Sequence, residues 1–222
     1  NGYRTLFTQK WLDLPARMFL NQGDGTFRES AAIVGIADRG NGRGVVCFDY
    51  DRDGDVDVFI SNIEGPVRLY RNDTANGNGF LQVRLVGRPP NTEGIGARIS
   101  IDAGGTRRIR EIQSGNNYLS QNPAVAHFGL GDVTSVDEIR IVWPLGSVTV
   151  RTSLIAGREI VVPEVDGDAN CDGVTSAADL VSLSRSIVRG AGQAPCPVGD
   201  VDLDGRVDEA DRLFALGQLY TP

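Results

Sequence analysis

The stretch Asp49-Tyr50-Asp51-Arg52-Asp53-Gly54-Asp55-Val56-Asp57 carries an aspartate at every second position and a glycine at the sixth. This pattern is typical of a calcium-binding loop, because Ca²⁺ is a hard cation with several oxygen ligands and the glycine permits a sharp turn around it. The twelfth position is Ile60, which has no ligand atom, so we predict a shorter loop that ends at Asp57. The predicted ligands are the side chains of Asp49, Asp51, Asp53 and Asp57 and the main-chain carbonyl of Asp55.

The residues on both sides of this loop predict β-strands. Val45 to Phe48 precede the loop, and Val56, Val58, Phe59 and Ile60 follow it. β-Branched and aromatic side chains favour the half-buried surface of a sheet. A β-hairpin is therefore expected to hold the first acidic loop.

Two further loops with the same spacing repeat each other near the end of the chain. They begin at Asp168 and Asp200, and apolar residues recur at helical spacing after each of them. With the first loop, they predict about three bound calcium ions. The predicted ligands are Asp168, Asn170, Asp172, the carbonyl of Val174, Ser176 (directly or through water) and Asp179 in the second loop, and Asp200, Asp202, Asp204, the carbonyl of Arg206, Asp208 and Asp211 in the third.

The composition points to an extracellular protein. The formal net charge is −7, and the acidic residues are concentrated in the three loops. Nucleic-acid binding calls for clustered lysine and arginine on one face, which this sequence does not offer. No apolar run approaches the roughly 20 residues of a membrane span.

The chain begins at Asn1 without a signal peptide, as expected of a mature or fragmentary product. Weak calcium loops fill where Ca²⁺ is millimolar, so we expect an extracellular or cell-surface location.

The three cysteines have different interpretations. Cys171 lies inside the second loop and Cys196 lies just before the third. If the two loops pack together, these residues can form a disulfide, and the alternative is two unrelated thiols. Cys47 lies in an apolar run and is expected to be a small buried core residue.

Residues 1–75 contain, besides the acidic loop, the stretches Phe19-Leu20-Asn21-Gln22-Gly23-Asp24-Gly25-Thr26-Phe27 and Val67-Arg68-Leu69-Tyr70-Arg71-Asn72. Together with that loop, they resemble the FG-GAP or VCBS repeat of β-propeller proteins. The resemblance implies a four-stranded blade with a calcium loop between strands. A single blade leaves strand edges uncovered. We therefore expect either that upstream blades are missing or that the edges pair with another domain or another copy.

Residues 76–163 predict a second module, a small β-sandwich or barrel, from short alternating strands separated by glycine turns. Characteristic stretches are Asn91-Thr92-Glu93-Gly94-Ile95-Gly96-Ala97-Arg98, Ser114-Gly115-Asn116-Asn117-Tyr118-Leu119-Ser120-Gln121 and Val142-Trp143-Pro144-Leu145-Gly146. They are similar to the ASPIC-type domain, which is cartilage acidic protein-like and also accompanies FG-GAP repeats in bacterial proteins. This association predicts a bacterial source.

Residues 164–222 predict a third module of two loop–helix units. The duplicated unit resembles a type I dockerin, a non-catalytic domain that binds cohesin domains. The resemblance implies partner-binding residues at Ala177, Ala178, Ser184, Arg185, Glu209 and Ala210. Arg212 stands where the family usually has leucine. The alanines offer a partner neither charge nor hydrogen-bonding groups, so they form a recognition face of low specificity. Docking within the chain or onto a neighbouring copy is therefore an alternative to a cohesin-like partner.

The sequence predicts no catalytic centre. His127 is the single histidine, and no serine or cysteine lies in a recognisable nucleophile elbow. We interpret His127 as a structural residue at a strand end, with a general base or metal ligand as the alternative. Trp143 and Tyr118 are interpreted as core or rim residues, with a platform that stacks on glycan as the alternative.

These observations predict a mainly β fold followed by a small α-helical calcium-loop domain. The predicted function is that of a secreted, calcium-stabilised, non-catalytic structural or interaction protein. Its tail would dock to a protein partner or to a neighbouring copy, in an extracellular assembly or filament. The alternative is a cell-surface module that binds glycan or matrix and is anchored through a cohesin-type partner. A third interpretation is the accessory end of a larger enzyme.

Overall fold

The computed structural model describes residues 15–74, 77–165, 175–189 and 208–219. Within these residues the fold is mainly β, with twelve strands and two helices, and this confirms the predicted fold class at that level. The chain divides into two compact units. Unit 1 comprises Asn1–Thr74 together with Gly115–Pro123, and unit 2 comprises Ala75–Ser114 together with Ala124–Pro222. Segment 115–123, which lies inside the predicted second module, therefore packs with the first unit.

Unit 1 contains a small hairpin and a three-stranded antiparallel sheet. The hairpin joins β1 (Phe19–Asn21) to β2 (Phe27–Glu29). The sheet has the order β3-β4-β5. Its strands are β3 (Asn41–Phe48), β4 (Asp57–Ile63) and β5 (Arg68–Tyr70). The FG-GAP resemblance implies four strands in one sheet, whereas among the residues that the structure describes the sheet has three strands and β1 pairs only with β2.

Unit 2 is built around a β-sandwich of two sheets, with strand orders β11-β10-β7-β8 and β12-β6-β9. Strand β12 runs parallel to β6, and the other pairs are antiparallel. The strands are β6 (Gly79–Val86), β7 (Arg98–Ala103), β8 (Thr106–Glu111), β9 (Val125–Gly131), β10 (Ser135–Val142), β11 (Val148–Ile155) and β12 (Arg158–Pro163).

The sandwich core follows from alternating apolar residues. In β6, Leu81, Val83 and Leu85 are buried, while polar or half-exposed residues separate them. Successive side chains of a strand point to opposite faces, so this alternation directs one face of each sheet inward. Both sheets contribute to one continuous cluster, which includes Phe128 and Trp143. The Trp143 indole Nε1–H donates to Thr149 Oγ1 at 2.9 Å, and this satisfies its buried polar group.

The loop from β6 to β7 contains the first ASPIC-type stretch and is fixed by Asn91. The Asn91 amide accepts a hydrogen bond from the Ile95 N–H at 2.9 Å and donates one to the Ile95 carbonyl at 2.9 Å. The Gly87 N–H donates to the Thr92 carbonyl at 3.0 Å. These contacts explain the stretch as a turn that closes one end of the sandwich.

Two helices complete the described part of unit 2. Helix α1 spans Ala177–Arg189 and helix α2 spans Glu209–Leu219. Leu183 and Ala215 are buried between them, and Leu180 and Phe214 pack against that pair. The guanidinium carbon of Arg151, in β11, lies 6.0 Å from the centre of the Phe214 ring. The helical calcium-loop domain stays a prediction, because most of its ligand residues lie outside the described residues.

Candidate metal centre

The acidic loop 49–56 connects β3 to β4, as the hairpin prediction requires. Arg52 and Gly54 adopt positive φ angles of 64° and 96°, so the chain turns sharply at the predicted glycine. Asp49 stabilises the turn from within: its Oδ1 accepts from the Asp53 N–H at 3.1 Å, and its Oδ2 accepts from the Gly54 N–H at 2.9 Å. The loop is thus closed by its own first carboxylate.

Asp57, the last predicted ligand and the first residue of β4, is fully buried. Its Oδ2 accepts from the Tyr50 N–H at 2.9 Å, and its Oδ1 accepts from the Asn72 N–H at 2.8 Å. The first bond closes the loop, and the second ties it to the chain that follows β5. A buried carboxylate needs such partners because desolvation of an ionised group is costly. Asp57 therefore orders the loop as well as offering oxygen atoms to a ligand.

Three of the predicted ligands meet in space. One carboxylate oxygen from each of Asp49, Asp51 and Asp57 lies within 4.8 Å of the others. Ionised carboxylates at that separation repel one another, and a cation placed among them removes the repulsion. Oxygens bound to one Ca²⁺ at roughly 2.3–2.6 Å lie no more than about 5 Å apart, so the group fits this ion. The all-oxygen set also suits a hard cation better than a transition metal.

The Asp53 carboxylate lies outside the close group, which consists of side-chain oxygens, and the main-chain carbonyl of Asp55 stays a predicted ligand. Asp53 is exposed, and its Oδ1 accepts from the Asp55 N–H at 2.9 Å. Asp55 is half-exposed. Arg71 provides positive charge nearby: its Nη1 lies 3.8 Å from Asp51 Oδ2, and its Nε lies 2.6 Å from Asp73 Oδ1. The hydrogen bond to Asp73 raises the pKa of Arg71, which remains a cation beside the loop.

The four described ligands of the tail cap the two helices in the same way. Ser176 Oγ accepts from the Ala178 N–H at 3.2 Å, while Asp179 Oδ2 accepts from the Ser176 N–H at 2.6 Å. These reciprocal bonds form a capping box, in which side chains satisfy the free N–H groups of a first helical turn. The third loop repeats it, with Asp208 Oδ1 accepting from the Ala210 N–H at 2.8 Å and Asp211 Oδ2 accepting from the Asp208 N–H at 2.7 Å.

Asp179 and Asp211, at the twelfth position of their loops, are buried at 0% and 1% exposure. Each uses one oxygen for the capping bond above. The two loop–helix units that the sequence predicts as a duplication thus begin their helices with the same pair of hydrogen bonds. The remaining predicted tail ligands and the predicted disulfide lie outside the described residues, namely Asp168, Asn170, Asp172, Val174, Asp200, Asp202, Asp204, Arg206, Cys171 and Cys196.

The predicted partner-binding residues lie at the starts and along one turn of the helices. Ala177, Ala178 and Ala210 are exposed. Ser184 is exposed, and its Oγ donates to the Leu180 carbonyl at 2.7 Å. Glu209 pairs with Arg212, whose Nε lies 2.8 and 2.9 Å from the two carboxylate oxygens, and this bond lowers the pKa of Glu209. Arg185 lies in α1, and its side chain is outside the described part.

Four residues outside the loops, singled out in the sequence, differ in their surroundings. His127 lies within β9, half-buried, with its ring stacked on Phe80 at 6.0 Å between centroids. Trp143 is buried, so it cannot stack on a glycan, whereas Tyr118 is 80% exposed. The prediction that Cys47 is buried is wrong: Cys47 is exposed, although partial desolvation raises the pKa of its thiol.

The hairpin, its acidic turn and the sandwich agree with two family models. Residues 13–60 match the FG-GAP-like repeat. Residues 87–169 match the family described as ASPIC and UnbV. The first match contains β3, the whole acidic loop and the start of β4, and the second contains the sandwich from the Asn91 turn to β12. The FG-GAP and ASPIC-type resemblances inferred from the sequence are thereby confirmed, and the dockerin resemblance stays a prediction.

The chain is also similar to cartilage acidic protein 1. It is 47% identical over 64 residues to the Mus musculus protein and 45% identical over 64 residues to the Homo sapiens protein. In each comparison the match covers 28% of this chain and 10% of the relative. The similarity therefore concerns about a tenth of the relatives' length.

Two features near the acidic loop are hard to recognise in the sequence, namely the role of Asn72 and the role of segment 115–123. Asn72 belongs to the FG-GAP-like stretch, but only the structure shows its N–H bound to Asp57. Asn117, Ser120 and Asn122 belong to segment 115–123, and their side chains contact β3.

Neither described helix is long and apolar enough to cross a membrane.

Proposed function

We propose that this chain is a calcium-stabilised, non-catalytic, extracellular interaction protein. The observation that carries the proposal is the close group of Asp49, Asp51 and Asp57 at the end of a β-hairpin. The FG-GAP-like match and the similarity to cartilage acidic protein 1 support an extracellular setting. Ca²⁺ bound there would favour the folded hairpin, because the unfolded chain offers no preformed group of carboxylates.

The first test is calcium titration of the whole chain by calorimetry. We expect about three sites, of which Asp51→Asn removes or weakens one by roughly tenfold or more, because affinity falls with the charge of the ligand set. Asp73→Asn is the matched control, since Asp73 is exposed and pairs with Arg71 outside the close group. Equal calcium binding by wild type and Asp51→Asn would contradict the proposed site.

The tail is proposed to be a dockerin-like module whose two loops also bind calcium. Support comes from the repeated capping boxes at Ser176–Asp179 and Asp208–Asp211 and from the buried position-twelve carboxylates. Its exposed alanines and the Glu209–Arg212 pair would face a protein partner, either a cohesin-like domain or another copy. A bacterial source remains part of this proposal.

Sedimentation velocity separates the two kinds of partner. If the tail docks to another copy, large species should form in millimolar Ca²⁺ and disappear when EGTA is added in excess. If it binds an outside partner, the chain should stay a monomer in Ca²⁺ and expand in EGTA. A sedimentation coefficient that does not change between the two conditions would contradict calcium stabilisation of the tail.

A glycan- or matrix-binding module is the second candidate function. The observation that favours it is Tyr118, which is 80% exposed and lies between Asn117 and Ser120, whose side chains are hydrogen-bonded to Val45. An exposed aromatic ring in a fixed position suits stacking on a sugar ring. Screening of a glycan array with wild type and Tyr118→Ala tests this candidate.

A further inference from the structure

Strand β3 lies at one edge of its sheet, with β4 on one side and no strand on the other among the described residues. Alternate residues of such a strand direct their N–H and C=O groups away from the sheet. A free edge of this kind is a template for pairing with another strand. Between Asn41 and Phe48 the only charged residue is Arg43, so little electrostatic repulsion opposes pairing.

Side chains of segment 115–123 occupy this edge. The Val45 N–H donates to Ser120 Oγ at 3.0 Å, and Ser120 Oγ in turn donates to the Val45 carbonyl at 2.6 Å. Asn117 Nδ2 donates to the same carbonyl at 2.9 Å. The Cys47 N–H donates to Asn122 Oδ1 at 3.0 Å. Three outward groups, the N–H and C=O of Val45 and the N–H of Cys47, are thus satisfied by side chains instead of by a strand.

The segment is organised for this contact. Asn122 Oδ1 also accepts from Asn117 Nδ2 at 3.2 Å, and the Asn122 N–H donates to Asn116 Oδ1 at 3.1 Å. Gly44 allows a close approach, because a Cβ there would lie 3.2 Å from Ser120 Cβ and 3.3 Å from the Leu119 carbonyl oxygen. The segment has no strand structure, so it satisfies β3 without presenting a new edge.

We propose that segment 115–123 is an edge cap that prevents β3 from pairing with β3 of a second copy. An antiparallel β3–β3 pair would be self-complementary, because a two-fold axis brings the same edge of both copies together. The cap uses hydrogen bonds from three side chains, which can be removed one at a time. The proposal does not depend on the calcium sites.

The test compares substitutions at Asn122 and Ser120 in the full chain. The substitution Asn122→Leu introduces a side chain with nearly the shape of asparagine but without an acceptor for the Cys47 N–H. The substitution Asn122→Asp keeps the acceptor. Combined with Ser120→Ala, Asn122→Leu removes every acceptor that the segment offers to the Val45 and Cys47 N–H groups. We expect hydrogen exchange at these two amides to accelerate at least tenfold in Ser120→Ala/Asn122→Leu and to stay near the wild-type rate in Asn122→Asp.

Sedimentation equilibrium in EGTA measures the consequence. The double variant should form a concentration-dependent dimer, and the wild type and Asn122→Asp should remain monomeric. Ser120→Ala alone, a milder change, should accelerate exchange at Val45 more than at Cys47, which keeps the test valid if the double variant does not fold. Unchanged exchange at Val45 in Ser120→Ala, or a monomeric double variant with fast exchange, would overturn the proposal.

Discussion

Asp57→Ala is expected to lower the free energy of unfolding of unit 1 by about 3 kcal/mol or more, even without calcium. Asp57 is fully buried and accepts hydrogen bonds from the Tyr50 and Asn72 N–H groups. Alanine would leave both donors without this partner, and bonds to an ionised group contribute about 1.5–3 kcal/mol each. Calorimetric unfolding in EGTA measures the loss, and faster hydrogen exchange at Tyr50 and Asn72 would locate it.

Asp51→Ala is the control for this effect. Asp51 is exposed, and the ion pair to Arg71 at 3.8 Å is of the surface type that contributes little. Because its removal also relieves repulsion among the three carboxylates, stability in EGTA should stay nearly unchanged or rise slightly, and only the stabilisation gained from added Ca²⁺ should fall. Equal destabilisation by the two substitutions in EGTA would show that Asp57 has no separate structural role.

Gly87→Ala is expected to destabilise unit 2 by about 2–3 kcal/mol, the usual effect of forcing extra atoms into a packed site. A Cβ at Gly87 would overlap the main-chain carbonyl oxygen of Asn91 and lie 3.3 Å from the Gly94 nitrogen. Because both neighbours are backbone atoms of a tight turn, they cannot move aside as a flexible side chain would. Urea unfolding followed by tryptophan fluorescence gives the change in stability.

Gly129→Ala is the matched change in the same sandwich. A Cβ at Gly129 meets no atom within 4 Å, and the residue lies in strand β9. Alanine there should stabilise unit 2 by roughly 0.5 kcal/mol, because glycine in a strand loses more backbone entropy on folding. If both substitutions had the same effect, the Asn91 turn would be more deformable than its hydrogen bonds imply.

The sequence predicts well those features that depend on neighbouring residues. The hairpin around the acidic loop follows from the apolar runs on its two sides, and β3 and β4 lie where those runs are. The alternation in β6 likewise predicts a strand with one buried face. The three carboxylates that meet are among the five aspartates predicted from spacing.

Contacts between distant parts of the chain could not be predicted in this way. The bond from Asn72 to Asp57 joins residues 15 positions apart, and the bond from Cys47 to Asn122 joins residues 75 positions apart. Such contacts depend on how the strands are arranged in three dimensions. That arrangement produces no periodic pattern in the neighbouring sequence. The exposure of Cys47 could not be predicted for the same reason. An apolar run predicts a strand, but it does not show that the strand lies at the edge of its sheet.

The parallel pairing of β6 with β12 determines how unit 2 would carry a mechanical load. The two strands are paired from Leu81↔Arg158 to Val86↔Pro163, so the chain enters beside one end of the pair and leaves at the other. Tension applied through the flanking chain would slide the two strands along each other, which loads the backbone hydrogen bonds of the ladder together. A domain connected in this way resists stretching in shear, whereas a terminal hairpin would open like a zipper, one pair after another.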